Sequence, residues 1–227
     1  EELGVSQLGQ GLQRAFMELK NINAQESQQL IDRLVEENLS VQEVYGMLQQ
    51  LAGDRILVDK SPTYASEKET LERAEQQFAD AKYIHLVRHP YAVIESFARM
   101  RMDKLVSAGN NNPYRLAESI WATSNQNTLD FFKTIDPERH YLVYYEELVS
   151  NPERVMTGVC EFLGIDFEPA LLQPYQGDRM TDGVHDRSMS VGDPNFLKRD
   201  RIDAKLAETW REIKLPSFLG DFARQVS

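Results

Sequence analysis

The sequence has little cysteine, a deficit of positive charge and no long apolar segment. Cys160 is the only cysteine among 227 residues, which excludes an internal disulfide framework and a cysteine-based zinc site. No apolar run approaches the roughly 18 residues that a membrane-spanning helix needs. Basic residues number 25 against 36 acidic ones, a formal net charge of −11. Such a chain is poorly suited to binding a nucleic-acid backbone or an anionic membrane surface.

Targeting features and an initiator methionine are also missing. The chain opens at Glu1 without a signal-like segment, and its cysteine usage favours a reducing, cytoplasmic compartment. It lacks the phosphate-binding G-x-x-x-x-G-K-S/T loop and any plausible Mg²⁺-ligand pattern, which counts against a nucleotide kinase. No metal site is expected. We expect residues 1–227 to form one domain that belongs to a longer protein.

The amino-terminal part of the chain is predicted to be helical. Three pairs have the spacing of a capping box, in which an Asn or Ser side chain and a Glu side chain bond each other's backbone: Asn23–Glu26, Ser40–Glu43 and Ser66–Glu69. Gly53 stands where a helix C-terminus favours glycine. The sequence therefore predicts helices that begin near residues 24, 41 and 67.

Short apolar runs alternate with helical patterns along the rest of the chain. Strands are predicted at 56–58, 83–87 and 141–145, and helices at 90–102, at 114–133 and after Asn151. Strands separated by helices pair in parallel. The sequence therefore predicts an α/β fold, a three-layer α/β/α sandwich with a central mostly parallel sheet and a helical insertion near the amino terminus.

Basic residues follow two of the predicted strands, where ligands bind in open α/β sheets. Arg88 ends the strand at 83–87, and Pro90 begins a helix whose free N–H groups and positive dipole end would suit a phosphate. Ser96 lies on the same helix, and Lys60 follows the strand at 56–58. The alternatives are that Arg88 is an ordinary strand-end charge and Lys60 a surface lysine.

Several blocks of this sequence resemble the sulfotransferase superfamily. The run from Tyr83 to Pro90, with Ser96 after it, resembles the motif that binds a 3′-phosphate, although His89 stands where most members have aspartate. Further blocks resemble the family in the same order: Asp59-Lys60-Ser61-Pro62, Val143-Tyr144-Tyr145-Glu146-Glu147-Leu148, Asn151-Pro152 and Phe162-Leu163-Gly164. The segments 180–185 and 192–196 are most similar to sulfotransferase domains of polyketide synthases of the olefin-synthase and curacin type.

The resemblance implies a P-loop-like fold and an enzyme. It implies transfer of a sulfonyl group from 3′-phosphoadenosine-5′-phosphosulfate to an alcohol, without a metal. In the polyketide subgroup the acceptor is the β-hydroxyl of an acyl chain on the phosphopantetheine of an acyl carrier protein. A neighbouring thioesterase domain then decarboxylates the sulfated acyl chain and eliminates the sulfate, which leaves a terminal alkene. A free small-molecule or carbohydrate alcohol remains an alternative acceptor, and a non-catalytic docking domain of a megasynthase is the alternative to an enzyme.

The resemblance also implies residues that bind the donor. Arg88 and Ser96 would bind its 3′-phosphate, and Tyr145 would lie near its adenine. Lys198 and Arg199, near the end of the predicted loop at 174–201, could close over the phosphate. The strand–loop–helix that binds the 5′-phosphosulfate is absent from this sequence and is expected upstream of it.

The catalytic roles are assigned to two residues. Lys60 would donate to the sulfonyl or bridging oxygen, and His185, in the long loop at 174–201, would act as general base. A carboxylate upstream of Glu1 is the alternative base, and His89 could assist the phosphate site. The stretch at 104–114 is either a mobile flap or a polar helix connection. Trp121 and Trp210 are predicted to be core residues on helix faces, not stacking platforms.

Overall fold

The computed structural model of the chain describes residues 9–106, 112–176, 199–216 and 219–226. The chain divides into two compact units, one within 1–60 and 175–201 and the other within 61–174 and 202–227. In chain order the α-helices and strands are α1 (Gly9–Lys20), α2 (Ala24–Glu36), α3 (Val41–Ala52), α4 (Lys68–Gln77), β1 (Tyr83–Val87), α5 (Pro90–Arg99), α6 (Asp103–Val106), α7 (Pro113–Phe132), β2 (His140–Tyr144), α8 (Tyr145–Ser150), α9 (Pro152–Leu163) and α10 (Asp221–Val226). Short 3₁₀ helices lie at Pro62–Ser66, Pro137–Arg139, Pro169–Leu172, Ala204–Ala207 and Thr209–Glu212.

Among the described residues of the first unit, α1, α2 and α3 are the helices. The capping boxes predicted at Asn23 and Ser40 are confirmed, because each cap side chain accepts from the glutamate backbone and each glutamate accepts from the cap backbone. Gly53 ends α3 with a φ of 64°, a conformation that favours glycine. The helices enclose a core of apolar side chains: Phe16, Ile31, Leu34, Val44 and Leu48.

Two local predictions are wrong. Ser66 ends a 3₁₀ helix and does not cap α4, which begins at Lys68 after an uncapped Glu67. Residues 56–58 are irregular and have no strand partner among the described residues, and Val58 is 79% exposed. An apolar run becomes a strand only where a neighbouring strand completes its hydrogen bonds. The run itself does not show whether that neighbour is present.

In the second unit, β1 and β2 pair in parallel, as predicted. The register runs from Tyr83 opposite His140 to Val87 opposite Tyr144, so the strand predicted at 141–145 begins one residue earlier. Helix α7 covers one face of the sheet, where Phe131 meets Tyr83 edge to face at 5.0 Å. Helix α9 covers the other face through a cluster formed by Val143, Val155 and Val159. A parallel sheet between helices confirms the α/β fold class.

Neither α7 nor α9 covers the whole of the sheet face on which it packs. On the α9 side, Ile84 and Leu86 of β1 are 42% and 55% exposed. On the α7 side, Leu142 and Tyr144 of β2 are also exposed. Within the described ranges β1 has a strand partner on one edge only. A free edge beside an apolar half-face is typical of a sheet that continues with further elements.

Helix α9 approaches β2 most closely at Gly158. A Cβ there would overlap the Tyr141 hydroxyl, and the Tyr141 ring is itself stacked on Phe162 with centres 5.2 Å apart. Overpacking typically lowers the free energy of unfolding by about 1–3 kcal/mol, whereas replacing a glycine inside a helix by alanine raises it by about 1 kcal/mol. We expect Gly158→Ala to lower the free energy of unfolding by about 1 kcal/mol in urea denaturation. The matched control is Gly46→Ala on α3, where a Cβ meets nothing within 4 Å and stability should rise. Equal stability changes in the two variants would contradict the close approach.

A charged cluster anchors α4 near the amino ends of the strands. Arg139 donates to both carboxylate oxygens of Glu75, at 2.6 and 2.9 Å, and to the Ala81 carbonyl. The Tyr83 hydroxyl donates to the same carboxylate at 2.8 Å. The hydrogen bonds from Arg139 hold the pKa of the Glu75 carboxyl below its ordinary value.

This cluster predicts a pH-dependent stability. Folding lowers the pKa of the Glu75 carboxyl. The ionised carboxylate therefore contributes to the free energy of unfolding above the unfolded-state pKa of about 4.3, and this contribution is lost as the pH falls through the folded-state pKa. We expect Glu75→Gln to lower the free energy of unfolding by about 1 kcal/mol at neutral pH, after allowance for solvent screening. That difference should shrink on acidification. Denaturant titrations of both proteins across this pH range test it, and a constant difference would refute it.

Candidate anion-binding site at the strand ends

Arg88 and Tyr145 meet where the two strands end. Val87 pairs with Tyr144, so the next residue of each strand leaves the sheet beside the other. The guanidinium carbon of Arg88 lies 4.5 Å from the centre of the Tyr145 ring, a cation–π contact. The Nε of Arg88 is buried and has no hydrogen-bond partner in the part of the chain that the structure describes. A guanidinium held through its face keeps the N–H donors of its plane directed at other acceptors.

Trp121 fixes the backbone that carries this arginine. Its indole Nε1 donates to the Arg88 carbonyl at 3.1 Å, and its side chain is buried in the unit's core. One turn along α7, Asn125 donates to the Trp121 carbonyl at 2.7 Å, and its side-chain oxygen lies 2.9 Å from His85 Nε2. The prediction that Trp121 is a core residue is confirmed. Its polar contact with Arg88 was not foreseen, since spacing does not relate residues on different elements.

His89 and Glu146 occupy the amino end of α5. The His89 Nδ1 accepts from the Tyr91 backbone N–H at 3.2 Å, and the His89 backbone N–H donates to Glu146 Oε1 at 3.0 Å. The Ala92 N–H bonds the His89 carbonyl at 3.0 Å, and Pro90 has no N–H. The prediction that free N–H groups of this helix suit a phosphate is therefore wrong. His89 itself accepts from Tyr91 and Ala92, and of these donors the distant Glu146 accepts only from the His89 N–H.

His89 performs the role for which aspartate is suited at this position of the family motif. Aspartate is a preferred helix N-cap because its side-chain oxygen accepts from the first turn. In this chain the imidazole of His89 makes that bond to Tyr91. The departure from the family pattern therefore preserves the cap of α5.

Ser96 is placed on the flank of α5 and not at its end. It is the seventh residue of the helix and is half-buried, roughly 9 Å along the axis from the first residue. An anion shared by Arg88 and Ser96 would therefore lie beside the helix. That position also avoids the Glu146 carboxylate at the helix end, which would repel an anion.

Trp210 stacks on His89, contrary to the prediction that it is a core residue on a helix face. The two rings lie 3.8 Å apart with an interplanar angle of 11°, and Trp210 belongs to the 3₁₀ helix Thr209–Glu212 and is half-buried. The Arg211 guanidinium lies over the same indole at 4.7 Å. Burial lowers the pKa of His89; the Glu146 charge opposes this shift and Arg211 adds to it.

The other histidines of the described ranges lie at the interface between the sheet and α7. The His85 Nδ1 is buried without a hydrogen-bond partner, and burial lowers the pKa of this imidazole against the effect of Asn125. His140 stacks on Phe132 with ring centres 4.2 Å apart. Neither ring lies at the carboxyl ends of the strands.

The remaining predicted site residues do not belong to the described part of the second unit. Lys60 is exposed and, like the half-buried Arg199, belongs to the first unit. His185 and Lys198 lie outside the described residues, as does the middle of the predicted flap, 107–111. Within the described ranges, no cluster of His, Cys, Asp and Glu could hold a metal ion, and no helix is long and apolar enough to cross a membrane.

A parallel sheet that holds an arginine over a tyrosine at its strand ends defines an α/β protein with a candidate anion-binding site. The chain belongs to the sulfotransferase family, whose model matches residues 4–169, more than half of the sequence. Two solved structures are similar to it over 99% of its length. One is the sulfotransferase domain from the curacin biosynthetic pathway, 56% identical, with a TM-score of 0.92 and 80% of that chain covered. The other is the sulfotransferase domain from the Synechococcus PCC 7002 olefin synthase, 50% identical, with a TM-score of 0.88 and 76% covered.

More distant relatives extend the comparison. Nodulation protein NoeE of Sinorhizobium fredii is 28% identical over 80% of this chain, and protein-tyrosine sulfotransferase A of Caenorhabditis elegans is 27% identical over 44% of it. The chain spans 44% and 26% of their respective lengths, less than half of each. The predicted family and the sulfotransferase fold are thus confirmed.

Proposed function

We propose that this chain is the sulfotransferase domain of a polyketide synthase. In this proposal it transfers a sulfonyl group to the β-hydroxyl of an acyl chain on an acyl carrier protein. The supporting observation is the identity of 50–56% over nearly the whole chain with domains from curacin and olefin biosynthesis. The nodulation protein and the tyrosine sulfotransferase reach only 27–28%. We therefore base the proposed acceptor on the curacin and olefin synthase domains.

The donor-binding side of the proposal rests on Arg88. A buried Nε without a partner, on a guanidinium held against Tyr145, fits a negatively charged ligand that supplies the missing acceptor. The donor 3′-phosphoadenosine-5′-phosphosulfate supplies an activated sulfonyl group when bound. Arg88 and Ser96 would bind the 3′-phosphate along α5, with Tyr145 near the adenine. Lys198 and Arg199 would close over the phosphate.

The catalytic side of the proposal rests on Lys60 and His185. The Lys60 ammonium would stabilise negative charge on the sulfonyl or bridging oxygen, as positioned cations do in phosphoryl transfer. The His185 imidazole would accept the proton of the acceptor hydroxyl. The hydroxyl oxygen would form the new bond to sulfur as the bond between sulfur and the 5′-phosphate oxygen breaks, and adenosine 3′,5′-bisphosphate would leave. The sulfate ester formed is a good leaving group, which suits elimination by a neighbouring thioesterase domain.

We propose that the strand–loop–helix that binds the 5′-phosphosulfate lies outside this sequence and completes the domain. The free edge of β1 and the exposed Ile84 and Leu86 support this proposal, because a further strand and helix would cover them. The curacin domain also has a longer chain, of which 80% is matched. The domain would then comprise residues 1–227 and that segment.

A competition assay read by mass spectrometry tests the proposed acceptor. The full-length protein and the sulfonyl donor are offered a β-hydroxyacyl carrier protein, a free β-hydroxy acid and a tyrosyl peptide together. We expect sulfation of the carrier-bound chain to exceed that of the free acceptors. A carrier protein whose acyl chain lacks the β-hydroxyl is the matched control and should remain unmodified. Preference for a free acceptor would contradict the proposal, and transfer to none would favour a docking domain.

A further inference from the structure

Trp210 reaches the candidate site from a distant part of the chain. The 3₁₀ helix Thr209–Glu212 packs against α5, and the indole of Trp210 lies parallel to the His89 ring. The Tyr91 ring is perpendicular to the same imidazole, with ring centres 5.4 Å apart. The half-buried imidazole that caps α5 thus contacts two aromatic rings.

The cap works only while His89 Nδ1 carries no proton. This nitrogen accepts the Tyr91 N–H, and a protonated imidazole has no acceptor. Trp210 removes one face of the ring from water, which disfavours the charged form. Without Trp210, water would reach the imidazole and compete for the Tyr91 N–H.

Charged groups on several elements act on His89. Glu146 on α8 favours its protonation, and Arg211 on the 3₁₀ helix opposes it. Arg211 lies over the Trp210 ring and pairs with Glu208, so the stack also positions that cation. Arg88 is the adjacent residue and adds a second positive charge to this neighbourhood.

We propose that Trp210 is a positioning residue for the anion site. By stacking on His89 it holds the cap of α5 and so fixes the peptide that carries Arg88. Its contribution to donor binding rests on the proposed function, whereas its effect on His89 does not.

The test combines NMR titration of the His89 ring with calorimetry of adenosine 3′,5′-bisphosphate binding, both on the full-length protein. In Trp210→Leu we expect the His89 pKa to rise, because its burial is lost, and the affinity to fall roughly three- to tenfold, the range expected for an aromatic stack. Trp210→Phe keeps a ring and should lie closer to the wild type. Glu212→Gln, an exposed change in the same 3₁₀ helix, is the control and should alter neither quantity.

Several outcomes separate this inference from the proposed function. An unchanged His89 pKa and affinity in Trp210→Leu would overturn the positioning role. A wild-type protein that does not bind the bisphosphate contradicts the proposed function, while a raised His89 pKa in the variant still supports the stack. The wild-type spectrum provides a check without any substitution. We expect nuclear Overhauser effects between ring protons of Trp210 and His89, and their absence would refute the proposal.

Discussion

Arg88→Ala is expected to weaken the binding of adenosine 3′,5′-bisphosphate by about 10- to 150-fold, or about 1.5–3 kcal/mol. Hydrogen bonds to a charged group are worth this much when one partner is removed from a desolvated site. The Arg88 guanidinium is already held against Tyr145, and Trp121 holds the Arg88 carbonyl, so little ordering remains to be done on binding. Isothermal calorimetry on the full-length protein measures the effect.

Two controls show whether this loss belongs to the 3′-phosphate. Adenosine 5′-monophosphate lacks that group, so Arg88→Ala should change its affinity little. Arg154→Ala removes an exposed arginine that pairs with Glu147 at 2.8 Å and should leave both affinities unchanged. If Arg88→Ala weakens the two nucleotides equally, Arg88 acts on some other part of the ligand.

His185→Ala is expected to lower turnover by about a hundredfold or more, the usual contribution of a general base. The environments of the other three histidines support this assignment. His85 is buried beside Asn125, His89 caps α5 under Trp210, and His140 stacks on Phe132. To accept a proton from an acceptor hydroxyl, each of these rings would have to lose the hydrogen bond or stacking contact just described.

The pH dependence of turnover distinguishes a base from a structural residue. A histidine base gives a rate that rises with pH as the imidazole loses its proton and then levels off, and His185→Ala should lose this step while donor affinity stays unchanged. His140→Gln is the matched control and should keep the step. Near-normal turnover of His185→Ala would assign the proton transfer to a carboxylate outside this sequence.

Local signals in the sequence predicted most of the second unit's elements. The strand at 83–87 coincides with β1, α9 begins at Pro152 directly after Asn151, and Gly164 ends that helix in the left-handed region with a φ of 77°. These features depend on residues within one turn or one strand, which a sequence displays directly. The parallel pairing followed from their alternation with helices.

Contacts between distant residues account for some of the errors. The apolar run at 56–58 looks like a strand, but no strand pairs with it among the described residues. At the start of α5 only the His89 N–H is bonded by a distant residue, Glu146, whereas the Tyr91 and Ala92 N–H groups are bonded by His89 itself. Trp210 was assigned to the core because spacing cannot reveal a stack with a residue of another element. At the candidate site, Arg88, Ser96 and Tyr145 were proposed from motifs, whereas the contacts of Trp121, Trp210 and Glu146 with this region are visible only in the structure.

The central claim is that a 3′-phosphate binds beside α5 and not over its amino end. A crystal structure of the full-length protein with adenosine 3′,5′-bisphosphate tests it most directly. The 3′-phosphate is predicted to lie within hydrogen-bond distance of the Arg88 guanidinium and Ser96 Oγ, with the bonds from Tyr91 to His89 and from His89 to Glu146 retained. A phosphate bound to the first-turn N–H groups of α5, with His89 and Glu146 displaced, would contradict it.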